Sequence, residues 1–164
     1  MNELVILVVE DEPEVRDAIV RDLESLGPKI RIDQAESVDD AEGALREAKA
    51  DNDSIGLVLA DHRLPGRTGV DLLVSLHENP DTRHIRKVLI TGQAGHQDTI
   101  RAINQAALDH YIAKPWEPEI LLEIVVDQLT GYVIDRGIDR LAYLDVLDAP
   151  RLLEALADGP GRPD

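Results

Sequence analysis

Cysteine and phenylalanine are both missing from the 164-residue sequence, and aromatic residues make up only 2% of it. Without cysteine the chain forms no disulfide bond and offers no thiol for catalysis or metal binding, which fits a reducing compartment. Because aromatic residues are so few, the core must be built from aliphatic side chains, and a hydrophobic content of 43% is enough to build one. A chain of this length corresponds to about one domain.

Positive charge is also scarce, because 17 basic residues stand against 33 acidic ones and give a net charge of -16. Nucleic acids and anionic membranes select positively charged surfaces, so we expect no direct nucleic-acid or membrane binding. The N-terminus has no basic region, and its apolar run is too short for a signal sequence or a membrane span. We therefore expect a cytoplasmic protein.

Two continuous apolar runs predict strands that are buried on both faces of a parallel sheet. The first is Leu4–Val9, and the second covers residues 55–60. Each run ends abruptly on carboxylates, with Glu10 and Asp11 after the first and Asp61 after the second. Open α/β sheets bind their ligands at the carboxyl ends of the strands, so these acidic residues are candidate site residues.

Further strands are predicted at residues 29–35, 88–91 and 111–113, and five helices alternate with the five strands. The first helix is predicted to run to about Gly27, and polar capping pairs at residues 37–40 and 68–71 predict the starts of two others. Strict alternation implies a parallel sheet with helices on both faces. The predicted fold is α/β, a flavodoxin-like doubly wound five-stranded sheet of order 2-1-3-4-5 with a C-terminal helical extension.

This strand order brings side chains that are distant in sequence into one crevice. Glu10, Asp11 and Asp61 would lie at its centre, with Thr91 and Lys114 at its rim. Three adjacent carboxylates either take up protons or bind a cation, and a site of oxygen ligands alone suits a hard ion such as Mg²⁺. A carboxylate nucleophile, a divalent metal, an ammonium and a hydroxyl together suit phosphoryl transfer, with Asp61 forming an aspartyl phosphate.

Each motif also has an ordinary structural explanation when it is considered alone. Asp61 could be a turn-forming aspartate, and the acidic pair before the first helix could simply favour the helix dipole. Their joint placement at strand ends favours the functional interpretation. The histidines lack the spacing of metal ligands and are expected in packing or solvated positions; they are His62, His77, His84, His96 and His110.

From about residue 4 to residue 130 the chain resembles the receiver domain of two-component response regulators. The matching positions are Glu10-Asp11, Asp61 followed by Leu64-Pro65 and Gly69, Thr91-Gly92, and Tyr111 three residues before Lys114-Pro115. The resemblance implies that Asp61 is the phosphoacceptor and that Lys114 binds a phosphoryl oxygen. It implies direct Mg²⁺ ligation by Asp11, Asp61 and the backbone carbonyl of Arg63, with Glu10 acting through a metal-bound water.

The same resemblance implies a cis peptide bond between Lys114 and Pro115 and a switch made of Thr91 and Tyr111. On phosphorylation Thr91 would move toward the phosphoryl group and Tyr111 would turn inward, remodelling the face formed by the fourth helix, fifth strand and fifth helix. The phosphoryl donor would be a sensor histidine kinase or a phosphotransfer protein. Such a protein would catalyse only its own phosphorylation and dephosphorylation.

Two other functions fit the same fold. One is an interaction scaffold that works without phosphorylation, which would have no need for an intact acidic triad with Thr91 and Lys114. The other is a phosphatase that uses Asp61 repeatedly, but that class usually adds a second aspartate two residues after the nucleophile. Here that position is Arg63.

We divide the chain into a receiver domain at residues 1–130, a helical extension at 131–158, and a disordered tail or linker at 159–164. Helical spacing continues past Gly131, Gly137 is a potential interruption, and Pro150 could start a final short helix. Three arrangements are open: the extension packs on its own receiver, it prolongs the fifth helix for dimerisation or partner docking, or the chain belongs to a longer protein. The number of apolar residues favours a homodimer.

Overall fold

The computed structural model describes residues 2–92 and 95–157, which form five strands and six α-helices. The strands are β1 (Leu4–Val9), β2 (Ile30–Ala35), β3 (Ser54–Ala60), β4 (Arg86–Thr91) and β5 (His110–Ala113). The helices are α1 (Pro13–Asp22), α2 (Val38–Ala50), α3 (Gly69–Glu78), α4 (His96–Gln105), α5 (Pro118–Arg136) and α6 (Ala149–Ala157). Within these ranges no helix combines the length and the apolarity that crossing a bilayer requires.

The five strands form one parallel sheet in the order 2-1-3-4-5, which confirms the predicted fold class. Val9 pairs with Ala35 on one side and with Ala60 on the other, and Thr91 pairs with Ala113. The carboxyl ends of all five strands therefore lie along one edge of the sheet.

The core lies on both faces of the sheet, and β1 is buried along its whole length. Its even-numbered side chains belong to the apolar cluster under α1 and α5, and its odd-numbered ones belong to the cluster under α2, α3 and α4. A strand buried on both faces has to be continuously apolar, which is why the run was recognisable in the sequence.

The predicted helix starts at residues 37–40 and 68–71 are confirmed by their hydrogen bonds. The Ser37 hydroxyl accepts from the backbone N–H of Asp40. Thr68 and Asp71 form a reciprocal capping box, in which each side chain accepts from the other residue's backbone N–H. These caps satisfy N–H groups that the first turn of a helix leaves without partners.

The end of α1 differs from the prediction, because the helix stops at Asp22 rather than near Gly27. A separate 3₁₀ turn, Glu24–Leu26, follows it. Leu23 and Leu26 are both buried there. Tightening the chain into a 3₁₀ turn brings both leucines to the core side, which explains why their spacing resembled one longer helix.

The chain reverses direction after α5 and does not prolong that helix. The predicted boundary at residue 130 falls inside α5, which ends at Arg136 and is followed by Gly137 with φ of 65°. The N–H groups of Gly137 and Ile138 donate to the carbonyls of Ile134 and Val133. This is a left-handed helix stop, for which glycine is favoured because it has no Cβ.

Beyond Gly137 the extension packs back on the receiver. It contains a 3₁₀ turn, Arg140–Tyr143, and then α6, which confirms the predicted final helix around Pro150. Tyr143, Leu147 and Leu152 are buried in the same cluster as β1. Folding back is thus the arrangement observed, and the homodimer stays a prediction. The predicted tail at 159–164 lies outside the described residues.

Helix α5 is bonded on two opposite sides. Arg86 of β4 donates to Gln128 and Asp135, whereas the Thr130 hydroxyl accepts from the backbone N–H of Asp148 at 3.1 Å. Gln128 and Thr130 are separated by roughly 200° around a helix of 100° per residue. The extension therefore bonds to α5 at Thr130, away from the Arg86 contacts at Gln128 and Asp135.

Replacing Leu152 by alanine tests whether the extension is part of the core. Leu152 has 0% exposure, so Leu152→Ala should lower the free energy of unfolding by about 3 kcal/mol through lost burial and a cavity. The matched control is Leu153→Ala, because Leu153 is 48% exposed. The control should stay within about 0.5 kcal/mol of the original protein in urea unfolding. Equal effects for the two variants would contradict the packing described.

Candidate functional site

Backbone hydrogen bonds extend the sheet one residue past the strand ends and fix the site residues. The N–H of Asp61 donates to the carbonyl of Val9 at 3.0 Å. The N–H of Glu10 donates to the last carbonyl of β2 at 2.9 Å, and that of Lys114 to Thr91 at 3.4 Å. These three side chains consequently start from fixed backbone positions on neighbouring strands.

The three predicted acidic residues do converge. One carboxylate oxygen from each of Glu10, Asp11 and Asp61 lies within 4.8 Å of the other two. Glu10 is 0% exposed and Asp61 is 5% exposed, whereas Asp11 lies in solvent. Oxygen donors of this kind and number fit a hard divalent cation.

The ammonium of Lys114 compensates two of these charges. Its Nζ lies 2.6 Å from Glu10 Oε1 and 2.9 Å from Asp61 Oδ2. The Thr91 hydroxyl also hydrogen-bonds to Asp61. Asp61 therefore meets a cation and a hydroxyl donor, the two partners that the sequence predicted for it.

The hydrogen bonds around Asp61 keep it ionised. Burial acts to raise the pKa of Asp61, but hydrogen bonds from Lys114, from Thr91 and from the Arg63 backbone N–H outweigh it and lower that pKa below its usual value. The Arg63 N–H lies 3.3 Å from Asp61 Oδ1. A carboxylate that stays charged at neutral pH is suited to act as a nucleophile.

The pKa values of Glu10 and Lys114 are also shifted by this arrangement. Burial, with a smaller contribution from the neighbouring Asp61, raises the pKa of Glu10 despite its bond to Lys114. Burial acts to lower the pKa of Lys114, but its bonds to the two carboxylates raise it above its usual value. Lys114 therefore remains a cation at neutral pH and supplies a fixed positive charge.

The loop after Asp61 is closely packed against the start of α3. A Cβ atom on Gly69 would lie 1.9 Å from the Asp61 carbonyl oxygen and 3.1 Å from the Cα of His62. The N–H of Gly69 donates to the His62 carbonyl at 3.0 Å. Only glycine fits this close approach. This gives a steric reason for the glycine at position 69, one of the positions at which the sequence resembles receiver domains.

The two predicted switch residues are neighbours on β4 and β5. Thr91 is fully buried, and the half-buried Tyr111 donates its hydroxyl to the Thr91 carbonyl at 3.2 Å. The Lys114–Pro115 peptide bond is cis, as the resemblance implied. The switching roles of Thr91 and Tyr111 stay a prediction, as does metal ligation by the Arg63 carbonyl.

A crevice of about 640 Å³ opens beside Asp61. Its apolar wall is formed by Val15, Ala18 and Trp116, together with Pro115. The Trp116 indole N–H donates to Asp22 at 2.8 Å, which fixes the ring against α1. The crevice thus has an apolar wall next to the charged site.

Two contacts of the site were not found from the sequence. The guanidinium of Arg16 donates to the Glu10 carbonyl at 2.8 Å. His62 is only 8% exposed, and its Nε2 lies 3.2 Å from Asp98 Oδ2 on α4. His62 stands in a segment that reads as a turn, so the sequence alone carried no sign of its burial or of its acidic partner.

The chain belongs to the response regulator receiver domain family, whose model matches residues 6–126. This family defines the receiver domains of two-component signal transduction, and the fold and motif positions described above agree with it. Receiver domains are phosphorylated by histidine kinases and bind Mg²⁺ at an acidic pocket, which here corresponds to the cluster of Glu10, Asp11 and Asp61.

Similar proteins include two curated transcriptional regulators. The chain is 35% identical over 117 residues to the phosphate regulon transcriptional regulatory protein PhoB of Escherichia coli, covering 71% of this chain and 48% of PhoB. It is 32% identical to the hydrogenase transcriptional regulatory protein HoxA of Cupriavidus necator, covering 85% of this chain and 27% of HoxA. The match thus spans less than half of each relative.

Among solved structures, a CheY-like response regulator receiver domain protein from Methanospirillum hungatei is 28% identical, with a TM-score of 0.68. The similarity covers 82% of this chain and 99% of that one. The part of the chain that is shared with receivers is therefore nearly a complete receiver domain.

Removing the Lys114 charge tests the electrostatic balance of the site. Lys114→Met leaves Glu10 and Asp61 without their shared cation, so the free energy of unfolding should fall by about 3 kcal/mol. Lys49→Met is the matched control, because the Lys49–Asp81 pair is exposed and should be worth less than about 1 kcal/mol. Urea unfolding without divalent ions measures both, and an unchanged Lys114→Met variant would contradict the prediction.

Proposed function

We propose that this chain is a phosphorylation-dependent signalling switch whose phosphoacceptor is Asp61. The observation that carries the proposal is an almost fully buried Asp61 hydrogen-bonded to Lys114 and Thr91 beside two further carboxylates. These groups match, residue by residue, what acceptance of a phosphoryl group requires.

In the proposed reaction a carboxylate oxygen of Asp61 attacks the phosphorus of a phosphohistidine or of a small phosphodonor. The new O–P bond forms while the P–N bond breaks, and the electron pair of that bond stays on the nitrogen, which leaves after taking up a proton. Lys114 already lies 2.9 Å from Asp61, so its ammonium reaches a phosphoryl oxygen bound there. Thr91 supplies a hydroxyl donor from β4. Neutralising the phosphoryl oxygens is the main task in this chemistry.

Glu10, Asp11 and Asp61 would hold the Mg²⁺ ion, with the Arg63 carbonyl as a further ligand. The donor set fits because it consists of oxygens alone and carries more negative charge than Lys114 neutralises. The ion would supply positive charge to the transferred group. Asp11 is the most accessible of the three carboxylates and is therefore the natural first ligand.

The phosphoryl donor is a sensor histidine kinase or a phosphotransfer protein. Asp61 lines the crevice whose apolar wall contains Val15, Ala18 and Trp116, so we expect the donor's histidine to approach through it. Apolar residues around a charged site allow a partner to dock while it excludes water from the reacting groups.

The output surface is the α4–β5–α5 face. Its exposed apolar residues are Ile100 and Ile103 on α4 and Ile120 on α5. The Tyr111 hydroxyl bond to Thr91 links this face to the phosphoacceptor. The C-terminal extension bonds to α5 at Thr130 and Asp127, whereas Ile120 near the start of α5 is exposed.

The chain would catalyse only its own phosphorylation and dephosphorylation and would turn over no outside substrate. The position two residues after Asp61 holds Arg63 rather than a second aspartate, so no general acid stands there for a phosphatase cycle. A scaffold independent of phosphorylation is the second candidate, but it gives no reason for burying Glu10 and Asp61 beside Lys114 at an electrostatic cost.

Intact mass spectrometry after incubation with phosphoramidate and Mg²⁺ tests the proposal. We expect one phosphoryl adduct that requires Mg²⁺ and is absent from Asp61→Asn, because the variant lacks the nucleophilic carboxylate. Asp17→Asn is the matched control, since Asp17 is an exposed aspartate on α1, and it should form the adduct normally.

A folded protein that forms no adduct, and whose Trp116 emission does not respond to Mg²⁺, would favour the scaffold instead. Rapid release of inorganic phosphate over many turnovers, with little adduct accumulating, would indicate the phosphatase. Both results would contradict the proposed switch.

Removing the accessible carboxylate should weaken metal binding. Asp11→Asn deletes one anionic ligand, so we expect the dissociation constant for Mg²⁺ to rise by about tenfold or more. A titration followed by the fluorescence of Trp116, which lines the crevice, measures it. Asp17→Asn again serves as the control, and equal affinities of Asp11→Asn and the original protein would show that the acidic cluster does not hold the ion.

A further inference from the structure

His62 has an environment that its place in a loop does not explain. It follows Asp61 directly, and its carbonyl is bonded to Gly69 at 3.0 Å in a segment too close-packed for a Cβ at that glycine. A displacement of the Asp61 backbone must therefore move His62 as well, because close-packed groups cannot absorb it separately.

The side chain of His62 is buried, and it makes a polar contact with Asp98. It is 8% exposed, Nε2 lies 3.2 Å from Asp98 Oδ2, and Nδ1 has no hydrogen-bond partner within residues 2–92 and 95–157. At this distance a proton on Nε2 can be donated to the Asp98 carboxylate. Burying the unpartnered nitrogen is unfavourable, and a leucine of similar size would avoid that cost. Packing alone consequently does not account for a histidine at this position.

The partner of His62 lies on the most weakly packed helix of the output face. Asp98 is in the first turn of α4, where a carboxylate also favours the helix dipole. Among the described residues of α4 only Ala102 is buried, while Ile100 and Ile103 are 43% and 55% exposed. An alanine buries little apolar area, so polar contacts account for much of what positions α4.

A second polar contact joins α4 to helix α3 and not to the Asp61 segment. Arg101 donates to Asp71 at 2.7 Å, which ties α4 to the start of α3. The His62–Asp98 contact, in contrast, joins α4 to the residue next to the phosphoacceptor. The two contacts thus offer a direct comparison between holding α4 in place and connecting it to Asp61.

We propose that His62 is a positioning residue that couples the Asp61 segment to α4 through Asp98, in addition to the route through Thr91 and Tyr111. The pair holds the first turn of α4 in the unmodified protein. Its signalling role rests on the proposed phosphorylation of Asp61, whereas its hold on α4 does not.

The test uses His62→Leu, which keeps the volume and removes the donor, and Asp98→Ala, which removes the acceptor from the surface. Hydrogen exchange of the α4 amides in the unmodified protein should become about fivefold faster in both variants, as expected for one lost hydrogen bond. Asp98→Asn keeps an oxygen that can accept from Nε2–H, so it should restore slow exchange.

The second readout is the shift of the Ile100 and Ile103 methyl resonances after treatment with phosphoramidate and Mg²⁺. In His62→Leu and Asp98→Ala the adduct should still form, but the methyl shifts should shrink about twofold or more because one connection is lost. Arg101→Gln is the matched control: it should speed exchange of α4 but leave the methyl shifts intact.

Unchanged exchange and unchanged methyl shifts in both His62→Leu and Asp98→Ala, with the adduct present, would overturn the proposal. Equal loss of the methyl shifts in Arg101→Gln would also overturn it, because any loosening of α4 would then suffice. Failure of the original protein to form an adduct would refute the proposed function, while the exchange measurements would still decide whether the pair holds α4.

Discussion

The contact of the Lys114 ammonium with Glu10 and Asp61 is the interaction on which the site depends. Two carboxylates buried side by side at strand ends repel each other, and the fold can keep both only because a cation reaches them from β5. The parallel sheet makes this contact possible by bringing the ends of β1, β3 and β5 to one edge. The same sheet is continuously apolar below that edge, so its interior stabilises the domain while its end carries the charge.

The sheet and the acidic site could be predicted because their determinants are local. Continuous apolar runs mark strands that are buried on both faces, and the alternation of strands with helices then fixes which strand ends meet. The fold-back of the extension could not be predicted in the same way. The apolar spacing around Tyr143 and Leu147 fits a longer helix equally well, and the choice depends on the left-handed turn at Gly137 and on contacts with β1. His62 contacts Asp98, a residue of helix α4 that is distant in sequence, and no local pattern reveals such a pair.

The packed domain extends beyond the residues that match the family model. The match to the family model ends at residue 126, yet Leu147 and Leu152 belong to the same buried cluster as the first strand. Thr130 also bonds to the loop before α6. In physical terms the cooperative unit continues through α6, because the apolar surface of α5 that this segment covers would otherwise face water.

The bonds on both sides of α5 have a mechanical consequence. Arg86 links the helix to β4 on one side and Asp148 links it to the extension on the other, so rotating or sliding α5 would break contacts on both sides at once. Within its described residues, helix α4 buries one alanine and has ion pairs with His62 and Asp71, so we expect it to resist movement less than α5 does. The contacts thus distinguish α5, which is bonded on two sides, from α4, and a displacement that begins at the acidic crevice would move α4 more easily than α5.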